Sequence, residues 1–265
     1  MLNVNDWPKS SYLTAVVFSL LFFLPSLAYS ESGRADYDLD DDGLIEINDL
    51  ADLNEIRNNL DGQTLYGESN GCPDVESGGC IGFELTANLN FDTDGDGEIT
   101  SADDYWNDGS GWSPIGSPNN SRYFTAQFDG NGHSINNLFI NRMSTFHIAL
   151  FGGINGASIQ RLILSGAIVK GYLNVGSLVG YAHHNNTLEA NSVSGRIYAS
   201  YTSNAYAGGL VGYMSENNIV RANFVSGRVT AEGYYVGGVI GLARYNNIIE
   251  GNLSTAWVEG SSNTG

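Results

Sequence analysis

Two acidic segments carry side chains whose types and spacing suit one chemistry. The first runs from Asp38 to Asp49 and places carboxylates at Asp38, Asp40, Asp42, Glu46 and Asp49. Counted from Asp38, these are positions 1, 3, 5, 9 and 12, with Gly43 at position 6 and Ile45 at position 8. The second runs from Asp92 to Asp103. It repeats Asp at 1, 3, 5 and 12 (Asp92, Asp94, Asp96, Asp103), with Gly97 at 6, Ile99 at 8 and Thr100 at 9. A hard divalent cation such as Ca²⁺ is held by roughly six to eight oxygens. Alternate residues of a tight loop point inward, Gly permits the sharp turn, and position 7 offers a backbone carbonyl, here from Leu44 and Glu98. The expectation is two Ca²⁺ sites. Their ligands would be Asp38, Asp40, Asp42, Leu44, Glu46 and Asp49, and Asp92, Asp94, Asp96, Glu98, Thr100 and Asp103.

Both segments follow the calcium-loop pattern of EF-hands. Asp in place of Glu at position 12 makes them resemble dockerin-type loops more closely. Such a short ligand needs a closer backbone to bind through both oxygens. A merely acidic turn is the alternative, and it does not account for matches at six diagnostic positions, twice. After the first loop, Leu50, Leu53, Ile56 and Leu60 recur at helical spacing, and Asp61-Gly62 closes the run. This predicts a helix over residues 48–60. With one flanking helix and loops 54 residues apart, neither a paired EF-hand sensor nor a complete dockerin is expected.

The elements that must position these loops come from the rest of the chain. Its 265 residues carry a formal charge of −18, unevenly spread. Residues 31–110 sum to −20, whereas residues 111–265 sum to +2. That balance argues against nucleic acid as a partner and against docking on anionic lipid. Two bound Ca²⁺ would offset part of the acidity. Hydrophobic content of 42% supports a sizeable core.

Residues 1–30 read as a Sec-type signal peptide. Lys9 precedes an apolar run from Tyr12 to Leu27, and Ala28-Tyr29-Ser30 ends in small residues before Glu31. The rival reading is an uncleaved anchor helix. No other stretch is apolar enough to span a membrane, so a secreted or bacterial cell-surface location is expected. Export permits disulfides. Cys72 and Cys80, set among Gly, Pro and Asp, are expected to form one, in preference to a thiol metal site lacking CxxC spacing.

The second half repeats. Gly176-Ser177-Leu178-Val179-Gly180-Tyr181, Gly208-Gly209-Leu210-Val211-Gly212-Tyr213 and Gly237-Gly238-Val239-Ile240-Gly241-Leu242 open three units. Residues 176–197 and 208–229 share 13 of 22 identities. A weaker unit begins at Ala149, giving repeats over about 149–175, 176–207, 208–236 and 237–265. Asn186, Asn218 and Asn247 share one position, and Asn191, Asn223 and Asn252 another. Apolar residues alternate with small or polar ones, punctuated by Gly and Asn. Coils of short strands stacked about 4.8 Å apart would place equivalent residues in ladders. This predicts an all-β chain, a parallel β-helix over 111–265, preceded by a calcium-binding α/loop region over 31–110. A β-propeller is the rival, although its blades are usually longer, about 40–45 residues.

The Gly208-Gly209-Leu210-Val211-Gly212 opening, followed by Val225-Ser226-Gly227, resembles the GLUG motif of bacterial surface proteins. Gly111-Trp112-Ser113-Pro114-Ile115-Gly116 and Phe128-Asp129-Gly130-Asn131-Gly132-His133-Ser134-Ile135 are similar to the lead-in these proteins often carry. The resemblance implies a right-handed β-helix on an exported protein. The motif also occurs in IgA-peptidase-like and haemagglutinin-like proteins, so it marks architecture and not chemistry. No polar capping coil follows Val258, so a fragment, or an end covered by a partner or further chain, is expected.

No HExxH, GxSxG or phosphate-loop motif is present. His183-His184 falls on a repeat turn and reads as solvated, with a metal pair as the alternative. Glu189, Arg221 and Glu250 share one repeat column, and Arg196, Arg228 and Trp257 another. The first reads as a salt-bridged face and not as the adjacent carboxylate pair of a glycosidase. Tyr198, Tyr201, Tyr206, Tyr234 and Tyr235, read as loop residues, could stack on sugars. The reading is an exported, calcium-stabilised β-helix surface or secreted protein, acting in adhesion or as a scaffold without catalysis. Its partner would be a glycan or a host or cell-surface protein. The alternatives are a carbohydrate-active enzyme, lyase or hydrolase, and the leader of an IgA-peptidase-like protein.

Overall fold

Alternating apolar residues in short runs, broken by Gly and Asn, produce strands of two to thirteen residues that cannot bury their inner face alone. They solve this by stacking. A computed structural model describes residues 34–72 and 79–260. The segment read as a signal peptide lies outside the described residues. Seven strands form one continuous parallel sheet, in chain order: Leu44–Ile47, Gly82–Leu85, Gln127–Asp129, Ser158–Gln160, Thr187–Glu189, Ile219–Arg221 and Ile248–Glu250. Each belongs to a successive coil. A second, four-stranded sheet contains Phe151–Ile154, Val179–His184, Val211–Glu216 and Ile240–Ala243. A third is built around Ile163–Val175, Ser192–Ala199 and Phe224–Ala231. The result is a parallel β-helix, not a propeller.

Equivalent positions of successive repeats stack in columns, as the repeat pattern predicts. Val193 lies opposite Val225 and Ile197 opposite Val229, with Ser254 and Val258 in the next coil. The first repeat carries one extra residue here, so the register shifts between Val193 and Gly195 opposite Leu164 and Ala167. The core is a single column of Ile, Leu, Val and Phe, with Trp112, Phe124, Phe128 and Phe151 filling its wider upstream part.

The two Asn columns are buried ladders. The amide Nδ2 and backbone N–H of Asn186 both donate to Asn218 Oδ1, and those of Asn218 to Asn247 Oδ1. Asn191, Asn223 and Asn252 repeat the arrangement. Each ladder Asn follows a residue in the left-handed region: Asn185, Asn217 and Asn246 in one column, Ala190, Ala222 and Gly251 in the other. This turn aims the side chain inward, where the corner's buried backbone groups need partners.

The sheet does not begin at residue 111. Leu44–Ile47 and Gly82–Leu85, both from the acidic region, are its first two rungs. The acidic region is thus coils with insertions. The helix and the Cys72–Cys80 segment occupy the excursion between coils 1 and 2, and residues 92–103 that between coils 2 and 3. The helix is shorter than the apolar spacing predicts. It covers Leu50–Glu55 and tightens into a 3₁₀ turn over Ile56–Asn58. Asp49 caps its start with its own side chain, and Asn59, at φ −134°, leaves helical geometry before Leu60. The expected disulfide joins Cys72 to Cys80. Three of the five Tyr read as loop residues are on strands instead: Tyr198, Tyr206 and Tyr235. Among the described residues no helix is long and apolar enough to cross a membrane.

Candidate metal centre

The two acidic loops fold alike. In the first, Asp38 accepts from the N–H groups of Asp42 (3.0 Å) and Gly43 (2.8 Å), and Asp42 accepts from Leu44 N–H at 2.8 Å. In the second, Asp92 accepts from Gly95 (2.9 Å) and Gly97 (3.0 Å), and Asp96 from Glu98 N–H at 2.8 Å. Position 6 is a glycine at φ +89° in both loops. Any side chain would be strained there, which explains why Gly43 and Gly97 recur. The turns gather Asp38, Asp40 and Asp42, and likewise Asp92, Asp94 and Asp96, so that each trio brings carboxylate oxygens within 4.8 Å of one another. Such a set of hard oxygens suits Ca²⁺.

The twelfth positions do not join these trios. Asp49 accepts from the N–H groups of Ala51 and Asp52, both at 2.8 Å, as the helix N-cap. Asp103 is buried and accepts from Thr93 N–H at 2.6 Å and Thr100 N–H at 2.8 Å. Burial would raise its pKa, but these N–H bonds outweigh it and hold the carboxyl below its usual range. Glu98 and Thr100 lie on the second loop outside its Asp trio. Leu44 begins the first strand.

Glu46 belongs to a second group in the first loop, with Asp40 and with Glu84 of the next coil, their oxygens again within 4.8 Å. Glu84 was not among the expected ligands. Register could have found it: Glu46, Glu84 and Asp129 are directly stacked in three successive rungs. The intervening insertions differ in length, so no fixed period announces the column. Burial pushes the carboxyls of Glu46 and Asp38 upward. For Glu84, burial and then the charges of Asp42, Asp40, Glu46 and Asp129 raise the pKa to about 7. Asp129 is held below its usual range despite burial, because Arg161, Asn131 N–H and Gln160 all donate to it.

The other candidates sit apart from the loops. His184 pairs with Glu216 at 3.0 Å, and His183 stacks on Tyr123 at 5.2 Å. Glu189 pairs with Arg221 at 2.7 Å, with Glu250 beyond it in register. Arg228 stacks over Trp257 and pairs with Glu259 at 2.6 Å. His147, Tyr181, Tyr213, Tyr206 and Tyr235 form a continuous aromatic column, centroids 5.1–5.4 Å apart.

Fold and loops together define a parallel β-solenoid carrying two acidic loops at its N-terminal end. Among known proteins, the chain is 33% identical over 154 residues to Halomucin of Haloquadratum walsbyi. The match takes in 57% of this chain and about 1% of that protein's length. The crystal structure of a candidate immunoglobulin A1 protease from Bacteroides ovatus is similar in fold, with a TM-score of 0.51 at 16% identity. That likeness covers 82% of this chain and 67% of the other. No protein-family profile matches the chain.

Proposed function

We propose that the protein is an exported, calcium-stabilised β-helix of the GLUG-like kind, secreted or held at a bacterial cell surface, acting in adhesion or as a scaffold without catalysis. The observation that carries this reading is the construction the two loops share. Both close on a position-6 glycine at φ +89° and both gather three Asp at positions 1, 3 and 5. A structural ion is the chemistry such loops support, and a rod of laterally bonded coils is what the ion would brace. The buried, unpartnered Oε2 of Glu46 fits the same demand for a cation. On the coils, Glu189 and Glu250 are separated by Arg221, an arrangement suited to a bonded face and not to paired acid–base catalysis.

Thermal melting with calcium or with chelator tests the reading. The expected outcome is a melting temperature several degrees lower in chelator; an unmoved one overturns it. A second reading, glycan recognition, is favoured by the aromatic column from His147 to Tyr235, whose Tyr rings could stack on sugar faces. Incubation with a polysaccharide panel in calcium is expected to give retention without new reducing ends. Release of sugar ends would instead establish a carbohydrate-active enzyme. Peptidase activity, as in the name given to the Bacteroides ovatus protein, would appear as cleavage of immunoglobulin A1.

A further inference from the structure

The sheet register sets Glu46 directly against Glu84. Like charges facing each other across a ladder repel. In the third coil the same column carries Asp129, and there Arg161 and Gln160 both donate to its carboxylate. No cation of the described residues bonds the carboxylates of the first two rungs: Arg34 donates to the backbone O of Glu46 at 2.9 Å, and its charge acts on the carboxyl without pairing with it. Among the described residues, neither Glu46 nor Glu84 has a Lys or Arg ion-pair partner. Yet both are buried, at 3% and 5% exposure. One oxygen of Glu46 accepts from Leu39 N–H at 2.5 Å, and the other, Oε2, is buried without a hydrogen-bond partner. Glu84 Oε2 accepts only the neutral amide of Asn131, at 3.1 Å. A buried carboxylate in such a setting either takes up a proton or is compensated by a charge, from a side chain or from a metal.

We propose that Glu84 is a cation ligand supplied by the second coil, and that Asp40, Glu46 and Glu84 together hold a Ca²⁺ that fastens the first coil to the second. Their oxygens lie within 4.8 Å of one another, a span that oxygens around one Ca²⁺ occupy. The proposal rests on the reading that the first loop binds calcium. It assigns the place that the twelfth position leaves open, since Asp49 is committed to the helix N-cap. Calcium binding then reports the docking of one coil on the next, because the ligands come from both.

Calorimetric titration of the full chain with CaCl₂, and melting in calcium and in chelator, test this on the wild type, E84Q and a D92N/D96N variant of the second loop. E84Q is expected to raise the melting temperature in chelator, because like-charge repulsion is relieved. It is also expected to weaken the first-site affinity at least tenfold and to shrink the calcium-induced rise in melting temperature. D92N/D96N should leave the first-site affinity unchanged. E84D keeps the charge but withdraws the oxygen, and should also weaken binding. Calcium binding by the wild type with equal affinity in E84Q and E84D would overturn the role of Glu84 while leaving the loop reading intact. A wild type that binds no calcium would overturn both.

Discussion

His147 shows how far local burial can move a single residue from its ordinary chemistry. It sits at φ +59°, accepts from the Asn174 amide at Nδ1 (2.9 Å) and stacks on Tyr181. Burial pulls its pKa down to about 4. A histidine so placed stays neutral at neutral pH, which keeps Nδ1 free to accept. The consequence for stability has a definite sign. Its contribution is complete above the unfolded value near 6.5, and is lost as pH falls toward about 4, where the folded state also takes up the proton. The loss is at most about 3 kcal/mol over that window. Imidazole proton shifts followed by NMR should show His147 titrating near pH 4. A midpoint near 6.5 would contradict the burial argument.

At the scale of elements, legibility followed periodicity. The Asn columns were readable because repeats of near-constant length keep Asn186, Asn218 and Asn247 in phase, and the structure bonds them as predicted. Glu84 was not readable. It shares a column with Glu46 and Asp129, but a helix and the disulfide segment intervene on one side and the second acidic loop on the other, so no spacing repeats. The helix was visible from Leu50, Leu53 and Ile56, yet its ends were not, because a capping side chain and a 3₁₀ turn set them. Spacing alone also places Asp49 as the twelfth-position ligand, whereas its side chain caps the helix. This distinction is measurable. Asp49→Ala should cost about 1 kcal/mol of stability as a lost N-cap. First-site calcium affinity should stay within about threefold of the wild type, equivalent to roughly 0.65 kcal/mol. A tenfold or larger loss would return Asp49 to the ion.

For the whole molecule, the uneven charge becomes an uneven stability. A solenoid is nearly one-dimensional: each coil is held by its own residues and its two neighbours. Coils 5 to 7 are joined by Asn ladders, which need no ion. Coils 1 and 2 instead stack buried carboxylates, and the third, where Arg161 neutralises Asp129, forms the border between the two regimes. Removing calcium should therefore loosen the rod from its N-terminal end and not throughout. Amide hydrogen exchange in chelator is expected to accelerate at least tenfold in Leu44–Ile47 and Gly82–Leu85, a local loss of about 1.4 kcal/mol or more. Thr187–Glu189 and Ile219–Arg221 should keep the protection they have in calcium, because their fastening is amide to amide. Uniform acceleration along all seven rungs would mean that the coils unfold as one unit, and that the metal, the acidic columns and the Asn ladders are coupled more tightly than nearest-neighbour packing allows.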